Sequence, residues 1–138
     1  MNSKYMKLAY REALKAYNKN EVPVGCVIVC DDKIVSKAHN DREAKHRVLG
    51  HAEINAIIKA SKKIGDWRLD NCEMYVTLIP CEMCQSIINE SRIKKVYYLL
   101  NCDKIKTNYN YITQTNVCQE ILDEYKTILK KFFETLIK

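Results

Sequence analysis

The chain has 138 residues, 47% of them hydrophobic, which is enough to close one core and too few for two domains. No apolar run approaches the ~18 residues needed to span a bilayer, so no membrane-spanning helix is expected. Seven cysteines with no apolar leader ahead of them point to a reducing, cytoplasmic setting, and the excess of Lys+Arg (23) over Asp+Glu (17) gives a net charge of +6 that attracts polyanions such as RNA without naming one.

Met6, Ala9, Tyr10, Ala13 and Tyr17 recur at helical spacing among Lys7, Arg11, Glu12 and Lys15, predicting an amphipathic first helix over residues 3–17. Residues 22–30 are a nearly unbroken β-branched run, the composition of a strand buried on both faces, with Pro23 near its start where a missing donor is tolerated. Asp31-Asp32-Lys33 supplies a turn, and residues 34–40 return as the second strand of a hairpin. Within the first strand, Gly25 either admits a close-packed neighbour or lets a flat base approach the backbone. Asn40, at the end of the hairpin, reads by itself as a turn former.

Residues 41–50 form a polar loop whose Arg42, Lys45, His46 and Arg47 could grip phosphates. A second helix follows over residues 51–63, apolar on most sides through Ala52, Ile54, Ala56, Ile57, Ile58 and Ala60 and so predicted to lie against the sheet. Trp67 reads as a packing residue before a platform for a splayed base. Residues 74–78 form a third strand, 81–90 a third helix and 95–100 a fourth strand, which the helix crossover places parallel to the third. Tyr109 and Tyr111 alternate in a short fifth strand over 109–113. Asn116 is the expected cap of a last helix with the stripe Ile121, Leu122, Tyr125, Ile128, Leu129, Phe132, Phe133 and Leu136.

Two short motifs carry chemistry: His51-Ala52-Glu53 and Pro80-Cys81-Glu82-Met83-Cys84. Zinc prefers four tetrahedral ligands from Cys and His, and catalytic sites keep three from the protein and one position for water. His51, Cys81 and Cys84 make three. If Pro80 opens a helix, Cys81 lies in its first turn and Cys84 shares its face, where the positive helix end favours thiolates. Glu53 is the candidate for moving the proton of the metal's water, provided His51 lies at or just before the first turn of its own helix, because residues two apart do not share a face. A structural zinc site would need a fourth ligand, for which Cys26, Cys30 and Cys72 are available. The combined pattern, with proline before the first cysteine, is the signature of zinc-dependent base deaminases.

With Val22-Pro23-Val24-Gly25-Cys26-Val27-Ile28-Val29, Ala38-His39-Asn40, Trp67-Arg68-Leu69, Tyr75-Val76-Thr77-Leu78, Ser91-Arg92-Ile93 and Phe132-Phe133, the chain resembles the tRNA-specific adenosine deaminases of the cytidine deaminase-like superfamily over nearly its whole length. The resemblance implies a three-layer α/β/α fold with a mixed five-stranded sheet, one Zn2+ per subunit and a homodimer. It implies hydrolytic conversion of adenosine to inosine at the wobble position of a tRNA anticodon loop, with Glu53 carrying protons between the attacking water, the ring nitrogen and the departing amine. It also implies substrate contacts from Val24, Gly25, Asn40 and Pro80, and so favours the base-approach reading of Gly25.

The chain departs from the family in four places. Val48-Leu49-Gly50 stands for the usual Pro-Thr-Ala before the His-x-Glu motif, and Ile79 and Glu82 replace a glutamate and a proline around Pro80-Cys81. The connection after Leu100 is short, and the basic cluster after Phe133 is reduced. These departures keep three alternatives open: a free-base or nucleoside deaminase acting on cytosine or guanine, a non-catalytic RNA-binding partner subunit, and a structural zinc module.

Overall fold

The computed structural model describes residues 2–116 and 118–137, with side chains through residue 135. Asn2 caps α1 (Ser3–Asn18) by accepting the Lys4 amide, and the helix buries Tyr5, Met6, Ala9, Tyr10 and Ala13. β1 (Gly25–Cys30) and β2 (Lys33–His39) form the antiparallel hairpin, with Asp31 and Asp32 both at positive φ in the turn, a conformation that short polar side chains tolerate. There follow α2 (Arg42–Lys45), α3 (Ala52–Ile64), β3 (Cys72–Leu78), α4 (Glu82–Glu90), β4 (Lys95–Leu100), β5 (Ile112–Gln114) and α5 (Gln119–Ile137).

The sheet order is β2-β1-β3-β4-β5, with β1 antiparallel to both neighbours and β3, β4 and β5 parallel. Strand alternation divides the buried side chains between two layers. Val27 and Val29 of β1 join Tyr75 and Leu99 against α1 and α5, whereas Cys26 and Ile28 join Met74, Val76 and Val96 against α3 and α4. The result is the expected three-layer α/β/α fold with a mixed five-stranded sheet, and the parallel β3–α4–β4 crossover puts strand ends and helix starts on one rim.

A buried hydrogen-bond chain ties the layers together. Tyr125 of α5 donates its hydroxyl to the Pro23 carbonyl at 2.7 Å and accepts from Thr77 of β3 at 3.0 Å, and the Gly25 amide donates to the same Thr77 hydroxyl at 3.1 Å. This satisfies the buried carbonyl of Pro23, two residues ahead of β1 and outside its ladder.

Several expectations are corrected. The strand predicted from residue 22 starts only at Gly25, because Val22–Val24 run outside the ladder as the approach to it. The missing side chain of Gly25 makes room for α1: a Cβ there would fall on the Ala9 carbonyl oxygen and within 2.5 Å of the Ala13 nitrogen, so close packing and not base approach accounts for this glycine. The polar loop contains a helical turn, α2. The fifth strand lies three residues later than its tyrosines suggested; Tyr109 and Tyr111 precede it, with rings 5.4 Å apart. The Leu122 amide bonds the Cys118 carbonyl, so α5 opens after Cys118 and Asn116 lies ahead of the cap. In the α5 stripe, Ile121, Tyr125, Leu129 and Phe132 are buried while Phe133 is exposed; the side chain of Leu136 lies outside the described residues. Trp67 is 52% exposed, flanked by the guanidinium groups of Arg68 and Arg92.

Candidate metal centre

The carboxyl end of β3 and the amino ends of α3 and α4 meet at one rim of the sheet, the place where open α/β sheets bind ligands. His51 is the N-cap of α3, in extended conformation, and its carbonyl accepts the Asn55 amide as the first helical bond. It therefore stands just before the first turn, as the His-x-Glu geometry requires. Cys81 is the N-cap of α4 and Cys84 is its third residue; Pro80 precedes the cap instead of opening the helix. The two sulfurs still converge, because a cap side chain folds back over the first turn.

The Nδ1 of His51 lies 3.5 Å from the Sγ of Cys84, and the donor atoms of His51, Cys81 and Cys84 all lie within 4.8 Å of one another. Tetrahedral bonds of about 2.0–2.3 Å place neighbouring ligand atoms roughly 3.3–3.8 Å apart, so the donor set fits zinc with little adjustment. Among the described residues no fourth His, Cys, Asp or Glu joins the group. Cys26 belongs to β1, and Cys30 pairs with Cys72 at the far end of β3, so the spare cysteines do not complete a closed structural site.

The electrostatics suit a cation. Hydrogen bonding from the Cys84 thiol, helped by the amides of Cys84 and Met83 and the charge of His51, holds Cys81 down to about 5, while Cys84 is pushed up because it keeps the proton the two share. A cation held by His51, Cys81 and Cys84 would take the place of that shared proton and favour both cysteines as thiolates. Glu53, 4% exposed in the first turn of α3, is pushed up to about 7, chiefly by burial.

His51, Glu53 and Cys81 open into a cavity of about 180 Å3 that Val24, Asn40 and Ile79 also line. This is below the roughly 300–1,000 Å3 of pockets that enclose a drug-sized ligand, so the cavity is of a size for a single base and not for a whole nucleotide. Of the substrate contacts expected from the sequence, Asn40 and Val24 border the cavity, while Gly25 and Pro80 do not. The Pro80 carbonyl instead accepts from Gln85.

The zinc-binding region of cytidine and deoxycytidylate deaminases matches residues 1–100 of this chain. The chain belongs to the cytidine and deoxycytidylate deaminase family. This deaminase is 36% identical over 141 residues to the tRNA-specific adenosine deaminase of Aquifex aeolicus, covering 96% of this chain and 93% of that one. It is 47% identical over 94 residues to the tRNA-specific adenosine deaminase of Bacillus subtilis, a match spanning 68% of this chain and 58% of the relative. A solved structure from studies of A-to-I editing by tRNA:A34 deaminases at the wobble position of transfer RNA superimposes with a TM-score of 0.81 at 28% identity, over 90% of this chain and 99% of that one.

Three residues of the deaminase site escaped sequence reasoning. Ile105, from the short connection after β4, lines the cavity. It is held there through Gln85, a fully buried residue of α4 whose amide donates to the carbonyls of Pro80 (2.9 Å) and Lys106 (3.0 Å) and accepts from Asn108 (3.0 Å). Ile79, noted only as a departure from the family, also lines the cavity, its amide bonded to the Leu100 carbonyl. A glutamine directly after Cys-x-x-Cys was the one available signal for Gln85, and nothing in the sequence tied it to residues 106–108.

Proposed function

We propose that this deaminase converts adenosine to inosine at the wobble position of a tRNA anticodon loop, in the cytoplasm and as a homodimer. His51, Cys81 and Cys84 hold zinc, and Glu53 is the proton carrier. The observation that carries the reading is a buried carboxylate, Glu53, in the same small cavity as converging donors that no fourth joins among the described residues. A structural site has no use for that carboxylate, and a site built for water and a base needs it. The similarity to tRNA-specific adenosine deaminases over nearly the whole chain supports adenosine in RNA as the substrate.

When bound, zinc lowers the pKa of the water it holds from 15.7 to about 7 and supplies a nucleophile at neutral pH. Glu53 would take one proton from that water and deliver it to the ring nitrogen as the hydroxyl adds to C6, then pass the remaining hydroxyl proton to the amine, which leaves as ammonia while C6 becomes a carbonyl, so it alternates between carboxylate and acid twice in each turnover. Burial of its carboxyl raises its pKa, which favours the acid form that the protonation steps need. Asn40 and Val24 hold the base at the cavity wall, and Pro80 shapes the turn that sets Cys81 on its helix. The net charge of +6 favours a polyanion. Ile58 and Ile64 on α3 and Val48 and Leu49 ahead of it are exposed apolar side chains that a second copy would cover.

The test is incubation of the zinc protein with an anticodon stem-loop carrying adenosine-34 and, separately, with free adenosine, cytosine and guanine, each beside Glu53→Ala. Inosine in the RNA alone, lost in the variant with zinc retained, is the expected result. Conversion of a free base with the RNA untouched would overturn the substrate assignment.

A further inference from the structure

The segment between Asn40 and His51 is braced to a degree its loop-like sequence does not suggest. The Asp41 amide closes it onto the Gly50 carbonyl at 2.9 Å, and a Cβ at Gly50 would press within 2.7 Å of the Arg42 backbone. Asn55, buried in α3, donates to Asp41 Oδ1 at 2.8 Å and to the His39 carbonyl at 3.2 Å, and accepts from Arg47 at 2.5 Å. From below, Glu21, only 2% exposed, spends one carboxylate oxygen on the Glu43 amide (3.0 Å) and the other on the Ala44 amide (2.8 Å). A buried carboxylate is costly unless its charge is met, and here the partners are two amides of the single turn that carries Arg42. Of the three cations in the segment, Arg42, Lys45 and Arg47, only Arg42 lines the metal-site cavity, and it makes no ion pair among the described residues, whereas Arg47 is taken up by Asp41 and Asn55.

Resting on the proposed RNA substrate, we infer that Arg42 grips a phosphate flanking the reacting base and that Glu21 is its positioning residue, fixing α2 so that the guanidinium meets the backbone at the cavity mouth. A cavity sized for a base leaves the phosphates outside, where an unpaired guanidinium on a fixed turn is worth most. This contact separates a base held in a nucleic acid strand from a free base or nucleoside, which has no phosphate to offer.

The experiment measures kcat and KM on the adenosine-34 stem-loop over a salt series for wild type, Arg42→Ala, Arg42→Lys, Glu21→Gln and the Glu21→Gln/Arg42→Ala double variant, with thermal melts of each. Arg42→Ala is expected to raise KM about tenfold with kcat little changed, the sign of lost uniform binding, and to lower the salt slope by about 0.7, the single-strand value for one phosphate. Arg42→Lys should restore the slope. Glu21→Gln keeps the volume but sets an amide donor against an N–H, and its KM should approach that of Arg42→Ala, with the double variant no worse than Arg42→Ala alone. An unchanged KM and salt slope in Arg42→Ala would overturn the phosphate contact. Additive losses in the double variant would overturn the positioning role, and if Glu21→Gln does not fold, the two Arg42 variants still decide the contact. A wild type inactive on the stem-loop brings down the RNA reading and this inference with it, and that is read from the wild type before any variant.

Discussion

The Nδ1 of His51 and the Sγ of Cys84 stand 3.5 Å apart across 33 residues of sequence, each at the start of its own helix. That meeting depends on α3 and α4 packing side by side on one face of the sheet, so the metal site is a product of the fold and not of either motif alone.

Cys84→Ser keeps the size of this ligand but not its thiolate. Since losing only an outer partner of a metal ligand costs 10–100-fold in affinity, zinc binding should fall by more than about 100-fold, measured by competition with a chromophoric chelator. Zinc should also leave more readily as pH falls, because its ligands must be deprotonated. Circular dichroism should stay native, since α3 and α4 are held by buried Ala52, Ala56, Ile57 and Ile88; unfolding on metal loss would point to a structural zinc.

Gly25→Ala places a methyl group against the backbone of α1 at Ala9 and Ala13, which cannot rotate away. Overpacking of this kind costs about 1–3 kcal/mol, seen as a lower urea midpoint. Zinc content should be unchanged, because the strain lies on the face of the sheet opposite α3 and α4. Loss of base binding without loss of stability would restore the base-approach reading.

Tyr125→Phe removes one hydroxyl and leaves the Pro23 carbonyl without its donor and Thr77 without its acceptor, both buried. An unsatisfied buried group costs about 1–3 kcal/mol, and thermal melting should fall by several degrees. A melt identical to wild type would mean that water or a neighbour takes over these bonds.

Glu12, 5% exposed beneath the end of β2, is held down to about 2, first by its hydrogen bond with His39 and then by Lys15, against a usual carboxyl value of 4.5. A depressed carboxyl contributes stability that is whole above pH 4.5 and is lost as pH falls toward 2. Urea titrations should therefore show wild type ahead of Glu12→Gln by roughly 2–3 kcal/mol at neutral pH, an advantage that closes between about pH 4.5 and 2. A constant difference across that window would assign the effect of Glu12 to packing.

Much of this was legible in the chain. β4 matched its predicted limits, and α1 and the hairpin came within a few residues, because 3.6-residue periodicity and β-branched runs are local signals. The three converging donors, His51, Cys81 and Cys84, were legible because zinc demands particular side chains at tight spacing. The strand proposed for Tyr109 and Tyr111 failed for a local reason of its own: alternation over so few residues fits a turn as well as a strand, and the parallel register with β4 is what begins β5 at Ile112.

Sequence by itself determined the candidate donors and the carboxylate beside them, since a His, two Cys and a Glu in that pattern have few other uses, and periodicity determined the layers around them. Tertiary structure decided what surrounds the chemistry. It turned Gly25 toward a helix, drew Ile105 into the cavity through Gln85, and set Glu21 under the turn that carries Arg42. The physical reason is that a metal site is specified by side-chain type, which the sequence states outright. A packed neighbour or a buried hydrogen-bond partner is specified by distance in space, which only the folded chain fixes.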